Sequence, residues 1–213
     1  MGKAMRPNTY FITATDTDAG KTFISCQLLQ AATRLGLQSV GLKPVASGAM
    51  QTPDGLRNDD ALKLMDASSL SLPYEQVNPY CYQSGTAPTF AAQQVGQAVS
   101  LEQVLRASCL EIVADFTLIE GAGGWLAPVG ENFTVADWAV TGGWPVVLIV
   151  PIQLGCINHA LLTAQAITQR TNLAGWVANV FADDVGGGAV DRAYTQWTIA
   201  HLTQCLGEPL AVF

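Results

Sequence analysis

The sequence predicts an α/β fold: a mainly parallel central sheet with helices on both sides, in three layers. Three observations point there. Short runs of β-branched and aromatic residues alternate with longer segments of helical period. A Gly20-Lys21-Thr22 tripeptide stands between the first such run and the first helical segment. Turn-rich stretches follow directly on the second and third runs, and parallel sheets bind ligands at their strand C-terminal ends.

In chain order, residues 9–13 (Thr-Tyr-Phe-Ile-Thr) read as a strand and 22–35 as a helix with apolar residues at helical spacing. Residues 39–43 give a second strand, and 59–67 a second helix opened by the acidic pair Asp59-Asp60. A helix at 101–113 precedes a third strand at 116–120, and the apolar run Val146-Val147-Leu148-Ile149-Val150 is a fourth. A helix at 158–170, a strand at 174–180 and a helix at 191–206 complete the alternation, which implies a sheet covered on both faces. Residues 44–58 and 121–131 read as turns, and Gly186-Gly187-Gly188 as a flexible loop. With no repeat, low-complexity tract or linker, residues 1–213 read as a single domain.

Composition narrows the function. At 49% hydrophobic and 13% charged residues, the chain can bury one sizeable core. Seventeen acidic against ten basic residues give a net charge of -7, which argues against nucleic acid or a membrane surface as partner, since both are polyanions. Five scattered cysteines without a CxxC pair suggest neither disulfides nor a zinc site. Neither a signal-peptide core nor a membrane-length apolar run is present, so the expected location is the cytoplasm.

The strand at 9–13 runs through Ala14-Thr15-Asp16-Thr17-Asp18-Ala19 into Gly20-Lys21-Thr22 and a helix, the setting of a P-loop. Backbone N–H groups of such a turn and of the helix N-terminus wrap phosphate oxygens, the lysine neutralises them, and the threonine hydroxyl ligates magnesium. The general pattern has an opening glycine separated by four residues from Gly-Lys-Thr, where this chain has Thr15. Magnesium on a nucleotide takes one or two carboxylates besides. Glu120, ending a buried apolar strand before Gly121-Ala122-Gly123-Gly124, is one candidate; Asp60 is another, although its place at a helix mouth equally suits a cap or dipole partner.

Six blocks then resemble the dethiobiotin synthetase family: Thr15-Asp16-Thr17-Asp18-Ala19-Gly20-Lys21-Thr22, Lys43-Pro44-Val45-Ala46-Ser47-Gly48, Gly55-Leu56-Arg57-Asn58-Asp59-Asp60-Ala61, Glu120-Gly121-Ala122-Gly123-Gly124-Trp125, Leu154-Gly155-Cys156-Ile157-Asn158-His159-Ala160 and Leu173-Ala174-Gly175-Trp176-Val177-Ala178-Asn179. Order and spacing match from Tyr10 to about Leu206. The resemblance implies a P-loop NTPase-like domain, usually a homodimer, that joins 7,8-diaminopelargonate, carbon dioxide and ATP into dethiobiotin. It makes Lys43 and Lys21 catalytic, and Thr22, Asp60 and Glu120 the magnesium ligands, against the local reading of Asp60 as a cap. It assigns ATP binding to Asp18, Ala19, Gly20, Lys21, Thr22, Phe23, Glu120, Gly121, Ala122, Gly123, Asn179 and Val180. Ser47 and Tyr194 would touch the substrate, and Gly155, Cys156, Ile157 and Asn158 would bind its carboxylate across the dimer interface with helix N–H groups.

Position alone leaves other roles open: Lys43 solvated at a strand end, Asn179 forming a turn, Asn158 capping a helix. The chain departs from the family pattern at Ala14, where glycine is usual, and after Leu206, where Gly207-Glu208-Pro209-Leu210-Ala211-Val212-Phe213 stands in place of a longer nucleotide loop and helix. Weaker, less base-selective nucleotide binding is the expectation. Rival readings are a cobyrinate-type amide ligase, for whose glutamine-hydrolysing domain there is no room, a partitioning-type switch ATPase, whose early P-loop lysine is Asp16 here, and a degenerate nucleotide-binding module.

Overall fold

A computed structural model describes residues 8–110, 113–181 and 191–213. β1 (Thr9–Ala14) leads through a tight loop into α1 (Lys21–Arg34). There follow β2 (Ser39–Leu42), β3 (Val45–Ala46), the hairpin of β4 (Met50–Thr52) and β5 (Gly55–Arg57), and α2 (Asp59–Ala67). Next come α3 (Tyr74–Val77), β6 (Tyr80–Cys81), α4 (Pro88–Gln94) and α5 (Leu101–Ser108). β7 (Phe116–Gly124), β8 (Pro128–Gly130), β9 (Phe133–Thr134), α6 (Val135–Gly142) and β10 (Val146–Pro151) lead to α7 (Cys156–Thr168), β11 (Leu173–Asn179), α8 (Arg192–Leu206) and β12 (Ala211–Val212).

The main sheet has the order β12-β11-β10-β1-β7-β2, and all its neighbouring strands are parallel. The expected three-layer α/β architecture is thus present. Each residue of β10 is buried, as an unbroken apolar run requires. Val146, Leu148 and Val150 join Trp138, Ile167, Trp176 and Leu202 on one face, while Val147 and Ile149 join Ile24, Leu29 and Leu64 on the other. β1 lies inside this sheet with connections leaving to both sides of it, which opens a crevice at the strand C-terminal ends.

The stretch 44–58, expected to be turns, holds β3 and the β4–β5 hairpin, and three further segments differ from the sequence-based expectation. The helix expected at 101–113 ends at Ser108, whose hydroxyl donates to Val104 O (2.7 Å) and accepts from Trp138 Nε1 (2.9 Å). Residues 111–112 of that segment, and the triglycine at 186–188, lie outside the described residues. The stretch from 121, expected to be turns, continues β7 to Gly124 before the β8–β9 hairpin. A Cβ on Gly121 would sit 3.1 Å from the Phe11 ring, so the glycine that weakens the strand signal is what lets β7 pass beside β1. The third is α6, announced by a capping box of Thr134 and Asp137 but absent from the sequence-based reading.

Candidate active site

Strand register assembles the site. Ile12 pairs with Glu120 across β1 and β7, and Leu42 pairs with Ile119 across β2 and β7. The next residue after Leu42, Lys43, therefore arrives beside Glu120 at the C-terminal edge of the sheet. Glu120 is fully buried; its Oε1 accepts from Lys43 Nζ (2.7 Å) and Thr22 Oγ1 (2.8 Å), and its Oε2 accepts from Ser25 Oγ (2.9 Å). Lys43 Nζ also donates to Gly121 O (3.2 Å) and stands 3.3 Å from Asp60 Oδ2. Burial opposes the charge of Lys43, but the Glu120 and Asp60 carboxylates outweigh it and hold the pKa above its ordinary value. Asp60 is correspondingly held below the usual carboxylate range: Lys43 and the Thr22 hydroxyl outweigh the effect of burial.

The phosphate loop is shaped from behind. Gly20, the N-cap of α1, takes φ 85°, and a Cβ there would lie 2.1 Å from Asn179 Nδ2, so only glycine fits. Asn179 is itself buried and donates to Ala19 O (3.0 Å). Lys21 folds back to donate to Asp16 O (3.2 Å). Burial, and after it the like charge of Lys43, lowers its pKa to about 8. A helix N-terminus with a glycine cap, beside a poorly solvated ammonium, is a site that gains from a phosphate.

A buried relay fixes the opposite wall. Asn58 N donates to Tyr74 Oη (2.7 Å), Tyr74 Oη donates to Asn78 Oδ1 (2.7 Å), and Asn78 Nδ2 donates to Lys43 O. Asn58 also caps α2 by accepting from Ala61 N, which corrects the local reading of Asp60: the cap is Asn58, and Asp60 faces Lys43. The cleft between these walls measures about 720 Å³ and is lined by Thr17, Asp18, Gly20, Lys21, Thr22, Phe23, Lys43, Ala46, Ser47, Asp60, Ala122, Gly123, Ala127 and the 85–88 loop.

A family model described as an AAA domain matches residues 8–208. The chain is 52% identical over 172 residues to the ATP-dependent dethiobiotin synthetase of Pseudescherichia vulneris, spanning 80% of this chain and 72% of that one. It is likewise 52% identical to ATP-dependent dethiobiotin synthetase 1 of Escherichia coli K12 (80% and 76% of the two chains), and 54% identical to the Yersinia pestis (strain Angola) synthetase (80% and 72%). The chain belongs to the ATP-dependent dethiobiotin synthetase family. Among solved structures, the Pyrococcus horikoshii septum site-determining protein MinD with Mg-ADP aligns at TM-score 0.58 with 14% identity over 98% of this chain and 81% of its own. A ParA-family ATPase from Chlorobium tepidum aligns at 0.55 with 10% identity (98% and 85%). At these identities the likeness concerns the fold.

The residues that the family resemblance implies fall into two groups. Asp18, Gly20, Lys21, Thr22, Phe23, Lys43, Ser47, Asp60, Ala122 and Gly123 line the cleft; Glu120 and Gly121 meet it through Lys43, and Ala19 and Asn179 support it from behind. Val180 sits past the end of β11, where its N–H donates to Phe213 O (2.7 Å). Gly155, Cys156, Ile157 and Asn158 open α7, and Tyr194 lies near the start of α8 against Trp197; none of these five lines the cleft of the same chain. Gly155 caps α7 with φ 90° and Asn158 lies inside it, so Asn158 is not the cap. Burial pushes the Cys156 thiol pKa up, which suits a packing role. Sequence reading missed Ser25, whose signal was its place one helical turn beyond Thr22, and the Tyr74–Asn78 relay and 85–88 loop, for which no local signal existed.

Proposed function

We propose that this chain joins 7,8-diaminopelargonate, carbon dioxide and ATP into dethiobiotin, ADP and phosphate, as an ATP- and magnesium-dependent cyclo-ligase of biotin biosynthesis. The observation that carries the reading is Lys43, buried between Glu120 and Asp60 beside the P-loop, in a chain about half identical to named synthetases over four-fifths of its length. One amine of the diamine adds to carbon dioxide and loses a proton, giving a carbamate. A carbamate oxygen attacks the terminal phosphorus of ATP and ADP leaves. The second amine then attacks the carbamoyl carbon, phosphate leaves, and the urea ring closes.

The protein's contribution is placement and charge. Lys43, kept protonated by its two carboxylates, acts as a fixed cation for the carbamate and the transferring phosphoryl group and not as a base. Lys21 gains a partner for a charge that burial disfavours, so it favours the triphosphate strongly. Ser47, in the same cleft, is placed to hydrogen-bond the substrate. The Asp60 and Glu120 carboxylates flank the Lys43 ammonium and Thr22 Oγ1 donates to Glu120 Oε1, so three hard oxygens of the kind that suits magnesium meet at this point. When bound there, magnesium neutralises charge on the phosphate oxygens.

We read the working unit as a homodimer in the cytoplasm. The supporting observation is that the α7 N-terminus, Gly155 to Asn158, lies outside the cleft of its own chain, so a second copy would have to present it to the substrate carboxylate. Among the described residues no helix is long and apolar enough to cross a membrane. Phosphate release from Mg-ATP with bicarbonate, measured with and without diamine and with the product weighed by mass spectrometry, tests the activity. Diamine-dependent release with a ring-closed product is expected; release independent of the diamine would indicate a switch ATPase instead.

A further inference from the structure

Lys43, Ser47 and Asp60 reach the cleft from two separate stretches of chain, yet their main chains are tied to one buried knot. Lys43 is held on both sides: its N–H donates to Val77 O (3.0 Å) and its carbonyl accepts from Asn78 Nδ2. Asn58 holds the other two. Its Nδ2 donates to Ser47 O (3.2 Å), and its Oδ1 accepts from Ala61 N (3.2 Å) to open α2, with Asp60 in the first turn. The Tyr74 hydroxyl joins the two halves, accepting from Asn58 N (2.7 Å) and donating to Asn78 Oδ1 (2.7 Å).

The direction of donation follows from the groups themselves. A backbone N–H can only donate, so the hydroxyl proton goes to Asn78 Oδ1, and that turns Asn78 Nδ2 towards the Lys43 carbonyl. Burial pushes the Tyr74 phenol pKa well up, so the hydroxyl keeps its proton. The Arg57 guanidinium lies over the Tyr74 ring, 4.2 Å from its centre, and holds it in place from the outside. Tyr74, Asn58 and Asn78 are all buried, so a partner lost from this chain is not readily replaced by solvent. We propose that Tyr74 and Asn78 are positioning residues: their hydrogen bonds keep Lys43, Ser47 and Asp60 in register with one another. The relay then serves phosphoryl transfer, where an ångström of misplacement costs about a hundredfold, while the P-loop wall captures the nucleotide. The kinetic part of this proposal rests on the synthetase reading.

Competitive acetylation of the ligand-free chain, read by mass spectrometry as the labelling of Lys43 relative to Lys21, tests the register without any reaction. Tyr74→Phe keeps the ring and removes only the hydroxyl. It is expected to raise that ratio at least about fivefold over wild type, the effect of one lost buried hydrogen bond on a local opening. Tyr82→Phe removes the hydrogen bond of another buried tyrosine, to Gln97 O (2.9 Å); it is the control for lost stability and should leave the ratio unchanged. In phosphate release with diamine and bicarbonate, Tyr74→Phe should lower kcat by roughly tenfold while the KM for Mg-ATP stays within about twofold. Asn78→Ala should match it, and the double variant should be no slower than Asn78→Ala alone, because both act through one chain of hydrogen bonds. An unchanged labelling ratio in Tyr74→Phe, or a kcat as high as that of Tyr82→Phe, would overturn the proposal. If the wild type released no diamine-dependent phosphate, the synthetase reading would fall and the labelling ratio alone would decide the register.

Discussion

Lys21 and Lys43 are both buried lysines in opposite electrostatic company, and their alanine variants should separate on stability while agreeing on activity. Lys43 neutralises two carboxylates, one of them fully buried. Lys43→Ala leaves those charges unpaired and is expected to destabilise the nucleotide-free protein by about 3–5 kcal/mol. Among the described residues Lys21 forms no ion pair with a carboxylate, and burial, with the like charge of Lys43, lowers its pKa to about 8, so that the fold disfavours its charge. Lys21→Ala should leave the denaturant midpoint unchanged or raise it. Both should lose at least about a hundredfold in turnover, because each removes a charge needed as phosphoryl transfer proceeds. Paired urea melts and phosphate-release assays check this; equal melts, or near-normal turnover in either variant, would contradict it. At this scale the sequence was informative about chemistry: Gly20-Lys21-Thr22 and the strand-end Glu120 were legible because each sits in a local context that chemistry explains. Ser25 and Tyr74 were not, since a serine in a helix and a tyrosine in a short turn say nothing until the fold aims them.

At the scale of an element, α6 shows how a cap and a tertiary ion pair combine. Asp137 Oδ2 accepts from Thr134 N (2.8 Å) and Thr134 Oγ1 (2.7 Å), while its Oδ1 accepts from Arg170 Nη2 (2.7 Å) just past α7. The Arg170 and Thr134 bonds lower its pKa from 3.8 to about 2. A folded pKa below the unfolded one gives stability that is fully present above about pH 4 and is lost as pH falls through about 2. Asp137→Asn should therefore melt below the wild type at pH 5 to 7, and the gap should close as pH approaches 2. A gap independent of pH would show that shape alone, not charge, matters there. The same element explains a failure of periodicity: 101–113 contains no glycine or proline to stop a helix, and α5 ends at Ser108, whose hydroxyl is shared with Trp138 of α6. The contact at that end is a tertiary hydrogen bond, invisible to local pattern.

For the whole molecule, a site completed by a second copy makes a quantitative demand. Asn158→Asp, at an exposed position in the first turn of α7, adds a carboxylate with almost no change of shape and should repel the substrate carboxylate without disturbing the chain's own cleft. Mixed with Lys43→Ala, each inactive alone, it should recover about a quarter of wild-type turnover, since half the dimers are mixed and each holds one intact site. No recovery after subunit exchange, with a dimer confirmed by light scattering, would place both lesions in the same site.

The sequence by itself determined the fold class, the phosphate loop and the family, because apolar periodicity, a strand-to-helix glycine turn and six ordered blocks are all properties of short stretches of chain. Only the tertiary structure decided that Lys43 neutralises Glu120 and Asp60, that Asn179 braces Gly20 and that Phe213 meets Phe23. Those pairs are far apart along the chain, and strand register and the order of strands in the sheet bring them together.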